Sequence, residues 1–290
     1  MRETRQDRKE RLRRRARSAM ARLALVGTIL ILVTIPVGLL AHFYLPPFLT
    51  EEMPRPELPR LEPFTPPLEG GPEGENRGVQ PPIPLPDGVV TRLDTAEPVV
   101  ALTFDDGPDP LFTPRLLEIL RGEGVAATFF VIANRAAARP DLVRQMLADG
   151  HEVGNHTLSH GRLTDLPELV VRHEILEAQR VLETITGERA RLFRPPYGRI
   201  NESIFRMAKE EAGLTTVMWS VDSRDWEGIS AREIREKVLA NLAPGSIILM
   251  HCAGGVSEGF TSTLEALPSI LEALRSRGYR PVTLGNALGG

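Results

Sequence analysis

From residue 89 onward, short apolar runs alternate with longer stretches whose apolar positions recur every three or four residues. Seven runs read as strands: VVALTF (99–104), ATFFVIA (127–133), HEVGN (151–155), LFRPP (192–196), TTVMWSVD (215–222), SIILMH (246–251) and YRPVTL (279–284). Between them lie six predicted helices, at 113–122, 140–149, 167–187, 201–212, 230–241 and 261–277. Asp141 after Pro140, Ser230, and Gly213 behind the fourth helix supply start or stop signals. Strands that alternate with helices over some 200 residues predict a parallel α/β sheet. Strands this continuously apolar suit burial on both faces. A closed or nearly closed barrel and an open doubly wound sheet share that pattern, and spacing does not separate them.

The pattern upstream is different. Residues 46–88 hold thirteen of the chain's 25 prolines, and eight acidic residues against three basic. Such a stretch cannot build a core and reads as an extended Pro-rich spacer, with a reach of roughly 100 Å at polyproline rise. Residues 23–45 carry no Asp, Glu, Lys or Arg. As a helix they would be about 35 Å long, enough to cross a bilayer. Pro36 is tolerable there. The basic stretch 1–22 on one flank predicts a cytoplasmic tail, with the remainder outside the membrane. A cleaved signal peptide is the rival reading, but no good cleavage site follows the apolar run. The expected order is therefore a basic tail (1–22), a transmembrane anchor (23–45), a linker (46–88) and one globular domain (89–290).

Charge sharpens that division. The chain's formal charge is -3, yet residues 1–45 hold ten Lys/Arg against three Asp/Glu, so everything beyond them is strongly acidic. A globular part of that sign repels phosphates, so no nucleic-acid partner is expected, and no protein partner is predicted. One cysteine, Cys252, excludes an intrachain disulfide and a cysteine-based zinc site.

In parallel α/β folds, ligands bind beyond the C-terminal ends of the strands. Five predicted strand ends carry chemistry-bearing groups: Asp105 and Asp106; His156 and His160 in HTLSH; Arg194 and Tyr197 in RPPYG; Asp222, Asp225 and Trp226 in DSRDW; and His251 in LMH. The four-residue spacing of His156 and His160 puts two imidazoles on one face of a helical turn, a spacing that suits one metal ion. His42, His151 and His173 have no such context and read as ordinary. Cys252 reads as a small residue packed at a strand end, with metal contact or oxidation sensitivity as a minor alternative.

The ordered set TFDDGP, HTLSH, RPPYG, DSRDW and LMH resembles the NodB-homology polysaccharide deacetylases, carbohydrate esterase family 4, over roughly residues 95–285. The resemblance implies a distorted (β/α) barrel of about seven parallel strands. It implies that Asp106, His156 and His160 bind a divalent metal, most simply Zn2+, with Co2+, Ni2+, Mn2+ or Fe2+ as alternatives. Asp105 is then the general base, oriented by Arg194, and His251 the general acid, kept protonated by Asp225. Tyr197 supplies a backbone N–H to the oxyanion, and Trp226 and Leu249 line the acetyl pocket. Asp222 supports the strand end. One departure is visible: many members place an acidic residue after the last histidine, where this chain has Cys252. The implied activity is removal of N-acetyl groups from an amino-sugar glycan, with peptidoglycan first. Poly-N-acetylglucosamine, chitin-like oligomers or O-acetyl xylan are the alternatives, and a non-catalytic glycan-binding module is the rival of another class.

Overall fold

The computed structural model describes residues 84–253 and 259–289. The expected tail, the anchor and nearly all of the linker lie outside the described residues, and no described helix is long and apolar enough to cross a membrane. The elements run β1 (Val99–Asp105), α1 (Phe112–Gly122), β2 (Thr128–Val131), α2 (Ala133–Ala138), α3 (Pro140–Ala148), β3 (Glu152–Asn155), α4 (Glu168–Thr186), β4 (Leu192–Phe193) and α5 (Glu202–Arg206). They continue with β5 (Thr215–Thr216), β6 (Val221–Asp222), α6 (Ala231–Ala240), β7 (Ser246–His251), α7 (Gly259–Ser276), β8 (Arg280–Val282) and α8 (Leu284–Leu288). Ser230 caps α6 as expected, in a reciprocal capping box with Glu233, a device worth about 1 kcal/mol. Asp141 is not a cap but lies in the first turn of α3, behind Pro140.

All strand pairs are parallel, in the order β5-β4-β3-β2-β1-β7-β6, and β8 pairs with the first half of β1. This order forces curvature. β5 and β6 sit at opposite ends of the path, yet only residues 217–220 separate them. A flat sheet of seven strands would be about 29 Å wide, whereas that link spans at most roughly 17 Å. The sheet therefore curls toward a barrel. Part of the seam is bridged by the chain ahead of β1, where Val90 pairs with Val217 and Arg92 with Ser246.

The expected strand TTVMWSVD is thus two strands, not one. The cause lies inside the curl: the N–H groups of Val217 and Met218 still pair, with the carbonyls of Phe193 and Val90, but their own carbonyls accept hydrogen bonds from Arg194, so on the carbonyl side the ladder gives way to a buried guanidinium. ATFFVIA also ends early, at Val131, with Ala133 opening α2, and the expected strands at LFRPP and YRPVTL shrink to Leu192–Phe193 and Arg280–Val282.

Strand alternation divides the core. Val100, Leu102 and Phe104 of β1 join Ile248 and Met250 of β7 in the cluster beneath the helices. Ala101 and Ile247 join Phe130, Leu192, Val217 and Leu284 inside the curl. The inward row of β1 grades from Ala101 through Thr103 to Asp105, and that of β7 from Ile247 through Leu249 to His251, each pair in register. The interior is apolar at its base and polar at its mouth.

Candidate active site

Asp105 is the last residue of β1, and its inward carboxylate is buried. Its neighbour would ordinarily point to the opposite face. Asp106 instead has φ 74°, a left-handed conformation that Asp tolerates better than most residues. The ladder is not lost at the kink, for the Asp106 N–H donates to Phe130 O at 3.1 Å. The turn brings both carboxylates to one imidazole: His156 Nε2 lies 3.8 Å from Asp105 Oδ2 and 3.3 Å from Asp106 Oδ1. Gly107 then permits a close passage, since a Cβ there would stand 2.5 Å from the Cys252 sulfur.

HTLSH is a loop, not the expected helical turn. Thr157 and His160 have φ 68° and 67°, and side chains hold the shape. Asn155 Oδ1 accepts the Thr157 N–H at 2.8 Å, and Thr157 Oγ1 accepts the His160 N–H at 3.0 Å. Glu174 of α4, itself buried, accepts from both the N–H and the hydroxyl of Ser159, at 2.9 and 2.6 Å. His160 Nε2 ends 3.1 Å from Asp106 Oδ1.

Arg194 is fully buried beneath these groups. It donates to Asp105 Oδ1 at 2.7 Å and Thr103 Oγ1 at 2.8 Å, and lies 4.1 Å over the Phe130 ring. Burial lowers its pKa and Asp105 opposes that shift; an arginine so held stays charged. Its carbonyl oxygen accepts the Nδ1 proton of His156 at 2.6 Å. A neutral His156 with that tautomer therefore presents a bare Nε2 to Asp106.

Asp106 Oδ1 is buried and has no hydrogen-bond partner, although two imidazole nitrogens face it. Ligand atoms of Asp106, His156 and His160 all lie within 4.8 Å of one another. Lone pairs meeting in a buried place repel unless something positive stands among them. Burial works to raise the Asp106 carboxyl, and the facing imidazoles overcome it and hold it below the ordinary carboxylate range. The donor set of one carboxylate and two imidazoles, with a buried carbonyl fixing one tautomer, fits a divalent cation.

Across the mouth, His251 is tied twice to Asp225. Its ring Nδ1 is 2.8 Å from Asp225 Oδ1, and its N–H donates to Oδ2 at 2.9 Å. Thr263 of α7 donates to the same Oδ2 at 2.9 Å. Burial would lower the His251 pKa, but Asp225, with Asp106 and Asp105 beyond it, raises it to about 9.

The remaining residues fall around this centre. Tyr197, at φ 60° and 56% exposed, packs 4.7 Å from the His160 ring. Trp226 is half-exposed beside the buried Asp225, and Leu249 is buried on the inward row two positions before His251. Asp222 accepts the Arg224 N–H at 2.9 Å and shapes its turn. Cys252 is outside the ligand cluster; burial, aided by the Asp106 charge, raises its pKa and keeps the thiol protonated. Sequence reasoning missed Thr103, Asn155, Glu174 and Thr263. Thr103 was detectable, two places before Asp105 on the same face; Glu174 and Thr263 reach the site only through the fold.

A cation-ready triad, a second carboxylate beside it and a carboxylate-held histidine opposite make up the equipment of a hydrolase. The family model described as polysaccharide deacetylase matches residues 92–217. A peptidoglycan-N-acetylglucosamine deacetylase of Bacillus cereus is 41% identical over 206 residues, covering 70% of this chain and 94% of the relative. A chitooligosaccharide deacetylase of Sinorhizobium fredii is 41% identical over 198 residues, covering 66% of this chain and 92% of the relative. A crystal structure of a peptidoglycan N-acetylglucosamine deacetylase in complex with a benzamide ligand superposes with TM-score 0.66 at 38% identity, over 69% of this chain and 92% of the other. The chain belongs to the polysaccharide deacetylase family, a family of enzymes that hydrolyse carbon–nitrogen bonds other than peptide bonds.

Proposed function

We propose that this protein removes N-acetyl groups from an amino-sugar polysaccharide outside the membrane, with peptidoglycan as its first substrate and Zn2+ held by Asp106, His156 and His160. The observation that carries this reading is the buried, unpartnered Asp106 Oδ1 among two imidazoles, beside a second carboxylate that Arg194 holds separately. Bound there, Zn2+ supplies Lewis-acid polarisation of the acetyl carbonyl and eases deprotonation of water; Co2+, Ni2+, Mn2+ or Fe2+ suit the same donors.

The chain's own groups do the rest. Asp105 takes the proton of the attacking water through the carboxylate that Arg194 fixes at 2.7 Å. As water oxygen adds to the acetyl carbon, the Tyr197 N–H stabilises the oxyanion. Leu249 and Trp226 enclose the acetyl methyl and limit water around it. The carbon–nitrogen bond then breaks, and the departing amine takes a proton from His251, whose Nδ1 is committed to Asp225. Acetate and a free amino sugar leave. Because one relative is named a chitooligosaccharide deacetylase, N-acetylglucosamine oligomers are the second substrate to assay.

The charge pattern of residues 1–45 supports an anchor at 23–45 with its tail in the cytoplasm, and the Pro-rich linker supports a domain that reaches the wall. Acetate release by the metal-stripped full-length protein, before and after Zn2+, tests the reaction on peptidoglycan strands and on N-acetylglucosamine oligomers. Zn2+-dependent release from either supports it; release from neither, with Zn2+ bound, rejects it.

A further inference from the structure

The rings of this site form a stack that leads outward. His156 lies 5.0 Å from His160, His160 lies 4.7 Å from Tyr197, and the Arg162 guanidinium stands 5.1 Å from the Tyr197 ring. Tyr197 and Arg162 are both exposed, so the stack begins at the buried ligand cluster and ends in a cation at the surface.

Arg162 has no strong internal use. Its nearest carboxylate is Asp165 at 3.7 Å, an exposed pair three residues away and of the kind that contributes little. The ring limits where the guanidinium can go, while its donors still face solvent. Arg135, by contrast, is half-buried and spends a donor on the Asp106 carbonyl at 3.1 Å. A surface cation preset over an aromatic ring, beside the reacting centre of a strongly acidic domain, suits an anionic substituent of the substrate.

Resting on the deacetylase reading, we propose that Arg162, seated on Tyr197, is an anion-binding subsite that selects glycans carrying a carboxylate on the sugar next to the reacting acetamide. In a wall glycan that group is the lactyl ether of every second sugar, a free carboxylate where the stem peptide has been removed and an amide where it is still attached; chitin-like oligomers lack it. The subsite makes this protein selective for wall strands stripped of their stem peptides over peptide-bearing strands and over neutral oligomers.

The test is a binding measurement, so it does not depend on turnover. The probes are a matched pair: a wall-glycan tetrasaccharide with free lactyl carboxylates, and the same tetrasaccharide with those carboxylates amidated. Dissociation constants are measured by calorimetry on Zn2+-loaded full-length protein, wild type at position 162 or carrying Arg162→Gln or Arg162→Glu, each in an Asp105→Asn background that leaves the probes uncut. The wild type is expected to prefer the acid about tenfold. Arg162→Gln should remove that preference and Arg162→Glu should reverse it, and the wild-type preference should shrink with added salt. No preference in the wild type, or a preference kept by Arg162→Gln, overturns the inference, even if acetate release establishes the deacetylase. Conversely, loss of the preference in Arg162→Gln sustains the subsite even if acetate release fails.

Discussion

The two halves of the site differ in how complete they are. On the Asp225 side, each carboxylate oxygen has its donors: the His251 ring on one, the His251 N–H and the Thr263 hydroxyl on the other. On the Asp106 side, a buried oxygen has none, and two imidazole nitrogens crowd it at 3.3 and 3.1 Å. Both halves are carboxylate and imidazole at strand ends. The satisfied half keeps its own proton, and on the proposed reading the unsatisfied half takes its positive charge from a bound cation. The contrast also explains why Asp105 and Asp106 can be neighbours. Arg194 neutralises the first from below, and the left-handed turn sends the second away from it, toward the two imidazoles.

The largest expected effect comes from the proposed base. Asp105→Asn keeps the shape and removes the proton acceptor, so kcat should fall about 10³-fold in an acetate-release assay. Next is the guanidinium beneath it. Arg194→Ala leaves a buried carboxylate without its partner and should cost about 3–5 kcal/mol in urea unfolding, along with most activity. On the complete half, Asp225→Asn should lower kcat about 10–100-fold. It should also move the alkaline limb of the pH profile. The raised pKa keeps His251 in its acid form up to about pH 9, so wild-type kcat falls only above that. Without the Asp225 charge the limb should shift toward the ordinary imidazole value, and a limb that stays put would remove His251 from the acid role. The smallest effect is expected from Glu174→Gln, which weakens the Ser159 clamp on the HTLSH loop. A few-fold weaker Zn2+ affinity, read by competition with a chelator, with little change in kcat, is the expected result.

The ends of the strands were legible because strand and chemistry coincide there. An apolar run that stops at a carboxylate or a histidine marks both the element and its mouth, as at Asp105 and His251. The seam was not legible. TTVMWSVD is apolar enough for one strand, and only Arg194, distant in sequence and inward in the fold, takes the carbonyls of Val217 and Met218. The histidine pair was found for the wrong geometric reason. Four-residue spacing suggested a helix face, whereas two left-handed residues and the Asn155, Thr157 and Glu174 side chains shape a loop to the same end. Glu174 sits in a regular amphipathic helix, where nothing local separates it from the exposed glutamates beside it.

The account rests on a division of labour between two adjacent carboxylates, and a paired measurement tests it most directly: Zn2+ content and acetate release of Asp105→Asn and Asp106→Asn, side by side. The account predicts that Asp105→Asn retains Zn2+ and loses turnover, while Asp106→Asn loses Zn2+ and turnover together. Equal Zn2+ content in the two variants, whether both full or both empty, would contradict it.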